Sequence, residues 1–322
     1  MPAAARTILA GLALFAAVAA AAPARAQSTP FVIGTADVVG NYHPLGRALC
    51  RIVNATRKEH GLRCRAEPTE GSVANIEGVL AGTLDAGFAQ SDTQYHARAG
   101  EAPFAGRPQP KLRALFIVDR ETFTLVARGD ANVQAFEDLR GKRVAIGARG
   151  SGTRATMEQL MKASGIAPGD FQAAVELRFV DLDTALCDNR IDAFVFVGGH
   201  PNASIADAAA TCPTRIVAIA GPAVDALVAA QPYYAKSEIR GGMYKGADAA
   251  RPSFGMAATL VVSADLPDAK AYAITKAVFE HFDDLRRMYP AMDVTTKADA
   301  ARGGVLPLHP GALRYFKEAG LD

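Results

Sequence analysis

The sequence has no tryptophan, only four cysteines, six scattered histidines and almost no excess of charge. Each shortage closes off a class of function. The histidines, at 43, 60, 96, 200, 281 and 309, show no H-E-x-x-H or comparable ligand spacing. Cys50, Cys64, Cys187 and Cys212 are not spaced as a zinc site, so neither a metal nor a cofactor is expected. Basic and acidic residues number 35 and 33, with no basic run or aromatic-interleaved patch, which leaves nothing to track a nucleic-acid backbone. Past the N-terminus, no apolar stretch approaches the roughly 20 residues of a membrane span. Ser151 lies in Arg149-Gly-Ser-Gly-Thr153, with glycine at the wrong offset for a nucleophile elbow, and no Ser/His/Asp set stands out. The chain does not read as an enzyme.

What is present is a globular composition, 50% hydrophobic and 21% charged, in 322 residues, enough for two domains of ordinary size. Residues 1–26 read as an export signal. Arg6 supplies a short positive region, Ile8 to Ala22 is apolar and uncharged, and Ala24-Arg-Ala26 fits an A-x-A cleavage site. A retained membrane anchor is the alternative reading of the same run. Removing it takes away Arg6 and Arg25 and no acid, so 33 basic side chains face 33 acidic ones. Export places the mature chain in the periplasm, where an even cysteine count invites disulfides. Four cysteines allow three pairings. The sequence-local one, Cys50–Cys64 with Cys187–Cys212, stands beside the alternative of small buried thiols.

Strand and helix signals then alternate. Phe31 to Thr35, Leu62 to Ala66 and Leu84 to Ala89 read as strands, separated by an apolar helical stripe through Leu45, Leu49, Ile52 and Val53 and by a helix starting at Gly71-Ser72. Leu112–Val118 and Phe123–Ala127 read as two consecutive strands. The plan restarts with Val144–Ile146, Val175–Val180 and Ile191–Val197. A helix over Leu182–Cys187, another over Ala203–Ala210 and a strand at Arg215–Ile219 follow. Tyr233 to Pro252 reads as loop, Met256–Ser263 as a strand, Pro267 to about Met288 as one helix, and His309-Pro310 as the start of a last short helix. Repeated strand–helix–strand units imply parallel sheets with ligands seated outside the strand ends. Because Thr83-Leu-Asp-Ala-Gly-Phe88 echoes Arg190-Ile-Asp-Ala-Phe-Val195, two α/β lobes of similar plan are expected to share one pocket between them.

The most informative stretch is Arg143 to Thr156. A short strand runs into Gly147, Gly150 and Gly152, and Ser151 or Thr153 is placed to cap a helix carrying Met157, Leu160 and Met161. Such a turn points unpaired N–H groups outward at the positive end of a helix dipole, a seat for a carboxylate or phosphate. The run Gly150-Ser-Gly152-Thr-Arg-Ala155 also matches G-x-G-x-x-A, with Glu176 or Asp181 as the acid some twenty-odd residues on. An α/β enzyme with a phosphate-bearing cofactor at Gly150–Thr153 is therefore a competing reading, set against the export signal. Arg154 either clamps a carboxylate or points to solvent.

Gly34-Thr35, Gly40-Asn-Tyr-His-Pro-Leu-Gly46, Gly71-Ser-Val-Ala-Asn75, Gln90-Ser-Asp92, Gly150-Ser-Gly-Thr-Arg154, Asp192-Ala-Phe-Val-Phe-Val-Gly198 and Leu308-His-Pro-Gly-Ala312 stand in one order and spacing. Together they resemble the TAXI solute-binding proteins of TRAP transporters, over essentially the whole mature chain. The resemblance implies a two-lobed periplasmic-binding-protein (Venus flytrap) fold, two similar α/β domains joined by hinge strands. Lobe I would comprise 27–128 and 253–322, and lobe II 129–252. It implies a receptor for a small anionic or zwitterionic solute, carrying a carboxylate, which passes its cargo to a membrane-embedded TRAP permease. A receptor of an ABC importer is the nearer alternative. The ligand-facing set carried over is Thr35, Asn41, Tyr42, Ser72, Asn75, Gln90, Ser91, Ser151, Gly152 and Thr153, with Gly198 and Gly199 at the rim.

This chain departs from the family pattern at three places. It has Gly34-Thr-Ala-Asp37 where many relatives have Gly-Thr-Gly-Gly, Glu70 where a small residue is usual, and His43 where a second tyrosine is common. Asp37 and Glu70 would place negative charge beside a site meant for an anion. Either they face solvent, or the solute also carries a cation.

Overall fold

A computed structural model describes residues 29–290, 292 and 296–321; the export signal expected over 1–26, with cleavage near Ala26, lies outside the described residues. The strands in chain order are β1 (Thr29–Gly34), β2 (Leu62–Glu67), β3 (Ala86–Gln90), β4 (Leu112–Arg128), β5 (Arg143–Ala145), β6 (Ala173–Val175), β7 (Ala193–Gly198), β8 (Thr214–Val217), β9 (Ala235–Ile239) and β10 (Arg251–Ser263). They join in the order β2-β1-β3-β10-β4-β7-β5-β6, with β8 beside β4 and β9 beside β10.

The outer strands of each half pair in parallel, β1 with β2 and β3, and β5 with β6 and β7. Two long antiparallel strands cross between the halves. β10 pairs with β3 through Ala258–Val262 and with β9 through Arg251–Gly255. β4 pairs with β10 up to Thr122, and beyond it with β7 and β8. The apolar cores divide accordingly. One gathers Phe31, Leu45, Phe88, Phe116, Phe279 and Phe316, and another Phe123, Leu125, Val144, Met157, Leu160 and Phe254. The result is a two-lobed α/β architecture with two connecting strands.

Several sequence expectations change here. Leu112–Val118 and Phe123–Ala127 are one strand, because Asp119 and Glu121 are buried at the crossing and do not form a turn. Tyr233–Pro252 contains β9, and β10 begins at Arg251. Val175 ends β6, and Phe179–Asp181 is a short 3₁₀ turn. The helix expected over Pro267–Met288 is two, Asp268–Glu280 and Phe282–Met288, divided at His281. Helices Ser91–Ala99 and Pro222–Ala230 went unread.

The sequence-local cysteine pairing is the one formed. Cys50–Cys64 ties the Tyr42–Ala55 helix to β2, and Cys187–Cys212 ties the ends of the Leu182–Cys187 and Ala203–Thr211 helices.

Candidate functional site

β5 ends at Ala145, and Gly147 (φ 95°) and Gly150 (φ 83°) take left-handed conformations that turn the chain into the Gly152–Ala163 helix. Ser151 is the cap. Its Oγ accepts from Arg154 N at 3.1 Å and donates to the Ala148 carbonyl at 2.7 Å. The N–H groups of Gly152 and Thr153, in the first turn, have no intrahelical acceptor, and both residues line the space between the lobes. Thr153 carries a second duty, its Oγ1 accepting from Val197 N at 3.2 Å.

The other lobe presents the Ser72–Leu80 helix, entered through Gly71 (φ 116°). Its seat is taken by the protein itself. Val73 N and Ala74 N donate to the Gly150 carbonyl at 3.1 and 3.2 Å. Beside it, Gln90 closes β3, and its backbone N–H donates to Ser72 Oγ at 3.2 Å. The Gln90 side chain is buried and reaches across to Gly152, where an added Cβ would overlap Gln90 Oε1 and Ser72 Oγ. Among the described residues Gln90 Oε1 has no hydrogen-bond partner.

These groups enclose a neck of about 20 Å³, room for about one water, lined also by Asn41, Tyr42, Glu70, Glu121, Phe179, Phe196 and Val197. Among the described residues, two carboxylates and no Lys, Arg or His line it. Glu121 is 2% exposed and accepts the Tyr42 hydroxyl at 3.2 Å. Burial, then the neighbouring Asp119, push its carboxyl well above the usual range. Burial likewise raises Asp119 to about 6, although Tyr289 Oη donates to it at 2.7 Å and Arg120 N at 2.8 Å. Outside the neck lies a vestibule of about 200 Å³ that shares Glu70, Ser151 and Phe179.

The vestibule accounts for one of the misfit acids. Asp37 accepts from Arg178 Nε at 3.2 Å across the mouth, so its charge is balanced by the opposite lobe. Glu70 stays exposed at the rim. Behind the neck, Asn41 Nδ2 donates to the Gly199 carbonyl at 3.0 Å, and Asn202 Nδ2 donates to Asn41 Oδ1 at 2.9 Å.

Of the ligand-facing set read from the sequence, Asn41, Tyr42, Ser72, Gln90, Ser151, Gly152 and Thr153 come together at the neck. Thr35, Asn75, Ser91, Gly198 and Gly199 do not line it. Asn75 is fully buried, with Nδ2 donating to the Thr35 and Phe88 carbonyls at 2.6 and 2.8 Å, so its amide holds β1 to β3. Thr35 donates to the Glu67 carbonyl at 2.8 Å, and His43 Nδ1 lies 3.1 Å from the same hydroxyl. Ser91 opens a helix and donates to the Tyr233 carbonyl at 3.4 Å. Gly198 ends β7 against the Phe196 ring, and Gly199 contributes only its carbonyl to Asn41.

Arg154 turns away from the cleft, to Glu158 at 2.6 Å and Glu176 at 3.0 Å, so it clamps no ligand. Glu176, offered as a ribose-binding acid, is thereby engaged. Glu121 was missed. Its signal was the Asp119-Arg-Glu121 interruption of an apolar run, which read as a break between strands.

A protein-family model described as the NMT1-like family matches residues 33–320. Among solved structures, a protein of Bordetella bronchiseptica RB50 is similar at a TM-score of 0.54 and 15% identity, over 90% of this chain and 89% of that one. An ABC uptake transporter substrate-binding protein from Streptococcus pneumoniae, with bound histidine, is similar at a TM-score of 0.52 and 13% identity, over 83% and 94% of the two chains. Identities this low speak to the fold, which is that of the two-lobed periplasmic binding proteins.

Proposed function

We propose that this chain, which belongs to the NMT1-like family, is a non-catalytic receptor that captures a small carboxylate-bearing solute between its lobes and delivers it to a membrane permease. One observation carries the reading. Gly152 and Thr153, whose first-turn N–H groups have no intrahelical acceptor, line a narrow interlobe neck beside a buried polar side chain, Gln90, whose Oε1 has no partner among the described residues. A carboxylate placed there gains fixed donors and the helix dipole without a buried cation. We take the lobes as 27–128 with 253–322, and 129–252, hinged where β4 and β10 cross. The neck holds about one water as it stands, so solute entry requires the lobes to part, and a solute favours closure by binding the closed form more tightly.

The N-terminal leader supports a periplasmic place of work, and among the described residues no helix is long and apolar enough to cross a membrane. The seven motifs shared with TAXI proteins support a TRAP permease as the partner; an ABC importer is the second reading, favoured by the Streptococcus pneumoniae receptor of like fold. A neighbouring gene for a fused, many-span permease supports the first, and one for an ATPase the second. The binding reading is tested by a thermal-shift screen of residues 27–322 against dicarboxylates, keto acids, amino acids and sulfonates. A solute at ~100 times its Kd adds about 2.7 kcal/mol. No shift with any class would refute it.

A further inference from the structure

The geometry points to Glu121 as the residue that selects the solute, by receiving a protonated nitrogen carried next to the carboxylate. The inference rests on the cleft reading above and names the class of solute. Three observations carry it. Glu121 lies on the wall of the neck, 2% exposed, with the Tyr42 hydroxyl on one oxygen. Beside it, the Gln90 side chain hydrogen-bonds Glu121 while its Oε1 is a second buried acceptor, with no donor to meet it among the described residues. Among the described residues no Lys, Arg or His lines the neck to balance Glu121 or to supply that donor, and the Asp37–Arg178 pair that neutralises the mouth lies farther out, in the vestibule.

A buried carboxyl and an unmatched amide oxygen call for a group rich in donors, and an ammonium brings three. A carboxylate alone would meet the Gly152 and Thr153 N–H groups and then confront Glu121, which costs affinity. Because donors and acceptors share one narrow neck, the cation and the carboxylate must be close together on the solute, as in an α-amino acid. The remainder of the solute would extend past Ser151 and Phe179 into the vestibule of about 200 Å³.

Burial, then the charges of Asp119 and Asp92, disfavour the Glu121 carboxylate, while hydrogen bonds from the Gln90 side chain and the Tyr42 hydroxyl favour it; the balance leaves the carboxyl well above the usual range while the neck is empty. An arriving ammonium would favour the ionised carboxylate.

The test is calorimetry on residues 27–322 with matched probes: L-alanine against propionate, L-leucine against 4-methylpentanoate, and L-glutamate against glutarate. At least one amino acid should bind, with its amine-free partner weaker by 100-fold or more. Glu121→Gln should weaken that amino acid by about 100-fold and shrink the gap between partners, while Gly152→Ala should weaken both partners by at least about tenfold. If amine-free acids bind as well as their partners, or if Glu121→Gln holds affinity within twofold while Gly152→Ala weakens it at least tenfold, the inference fails and the cleft reading stands. If Gly152→Ala leaves a bound probe unaffected, the cleft reading itself fails. Binding of none of the six probes also overturns the inference. The wild-type comparison of partners does not depend on any variant folding.

Discussion

The Gly150 carbonyl accepts the Val73 N–H at 3.1 Å from across the cleft, so one of the two helix N-termini facing each other is already filled by protein. The two jaws are therefore not equivalent. On the proposed reading a solute carboxylate would go to Gly152 and Thr153, whereas Val73 and Ala74 would serve as a contact made on closure. If, as proposed, a solute favours the closed form, hydrogen exchange at Val73 and Ala74 should slow by at least tenfold when it binds. Equal exchange in the free and bound protein would show that this contact does not report closure.

Gly152 should be intolerant of even one methyl group. A Cβ there would overlap Gln90 Oε1 and Ser72 Oγ, both on the opposite lobe. Its own backbone is helical, so alanine costs little locally. Gly152→Ala is expected to cut solute affinity at least tenfold while shifting Tm by only a few degrees. Adding Gln90→Ala removes the obstructing side chain and should recover part of the loss, a coupling a double-mutant cycle would detect. Additive losses would mean that the two residues do not meet in the binding form.

Thr153 is a less clean probe than its place at the neck implies. Thr153→Val would leave the Val197 N–H without its acceptor, a buried donor whose loss costs about 1–3 kcal/mol. The variant should lower both affinity and Tm, and a fall in affinity with Tm unchanged would show that the hydroxyl serves the solute alone.

What the sequence disclosed, and what it hid, follows from how local each signal is. The glycine-rich turn and its Ser151 cap were legible because φ preference and capping act within a few residues, as the Ser151–Arg154 bond shows. The Ser91–Ala99 helix was hidden because its buried face is polar: Asp92 accepts from Thr156 Oγ1 at 2.6 Å and Tyr234 Oη at 3.0 Å, partners 64 and 142 residues away. A periodicity of apolar residues cannot register such a face. Asn75 stood in the right motif, yet its amide ties Thr35 to Phe88, a role visible only once β1 and β3 are adjacent. The charges at Asp119 and Glu121 read as a break because burial of carboxyls at a crossing strand depends on contacts the strand does not itself encode.

Asp119 gives the fold a pH dependence of known sign. Burial raises its carboxyl from 3.8 to about 6. Below pH 4 both folded and unfolded chains hold the proton. Between pH 4 and 6 the unfolded chain releases it first, so the folded state loses stability as pH rises through this window, by up to about 3 kcal/mol. Asp119→Asn should flatten the contribution, keeping an acceptor for Arg120 N on one side of the amide. Chemical denaturation at pH 4, 5, 6 and 7 checks this, and parallel curves for the two proteins would remove Asp119 as the source.

Asp192 acts in the opposite direction and lower in pH. Its carboxylate takes Arg143 N and Nε on one oxygen, at 2.8 and 3.1 Å, and the guanidinium nitrogens of Arg143 and Arg128 on the other, at 2.6 and 3.2 Å. The Arg143 hydrogen bonds are the main reason its carboxyl falls to about 2. A depressed value means stability that is present above pH 3.8 and lost as pH falls toward 2. The same contacts fix the start of β5 against the end that leads to Gly147, so they hold the strand from which the solute-facing turn departs. Asp192→Asn should therefore cost about 1–2 kcal/mol at pH 7, the scale of one charge-assisted hydrogen bond. The deficit should shrink as pH falls from 3.8 toward 2, where the unfolded and then the folded wild-type carboxylate gains its proton. Solute affinity of the folded variant should stay within a few-fold, because Asp192 lies at the far end of β5 from Gly152. An unchanged deficit at pH 2.5 would assign the loss to packing, and a large drop in affinity would mean that the pair sets the geometry of the turn itself.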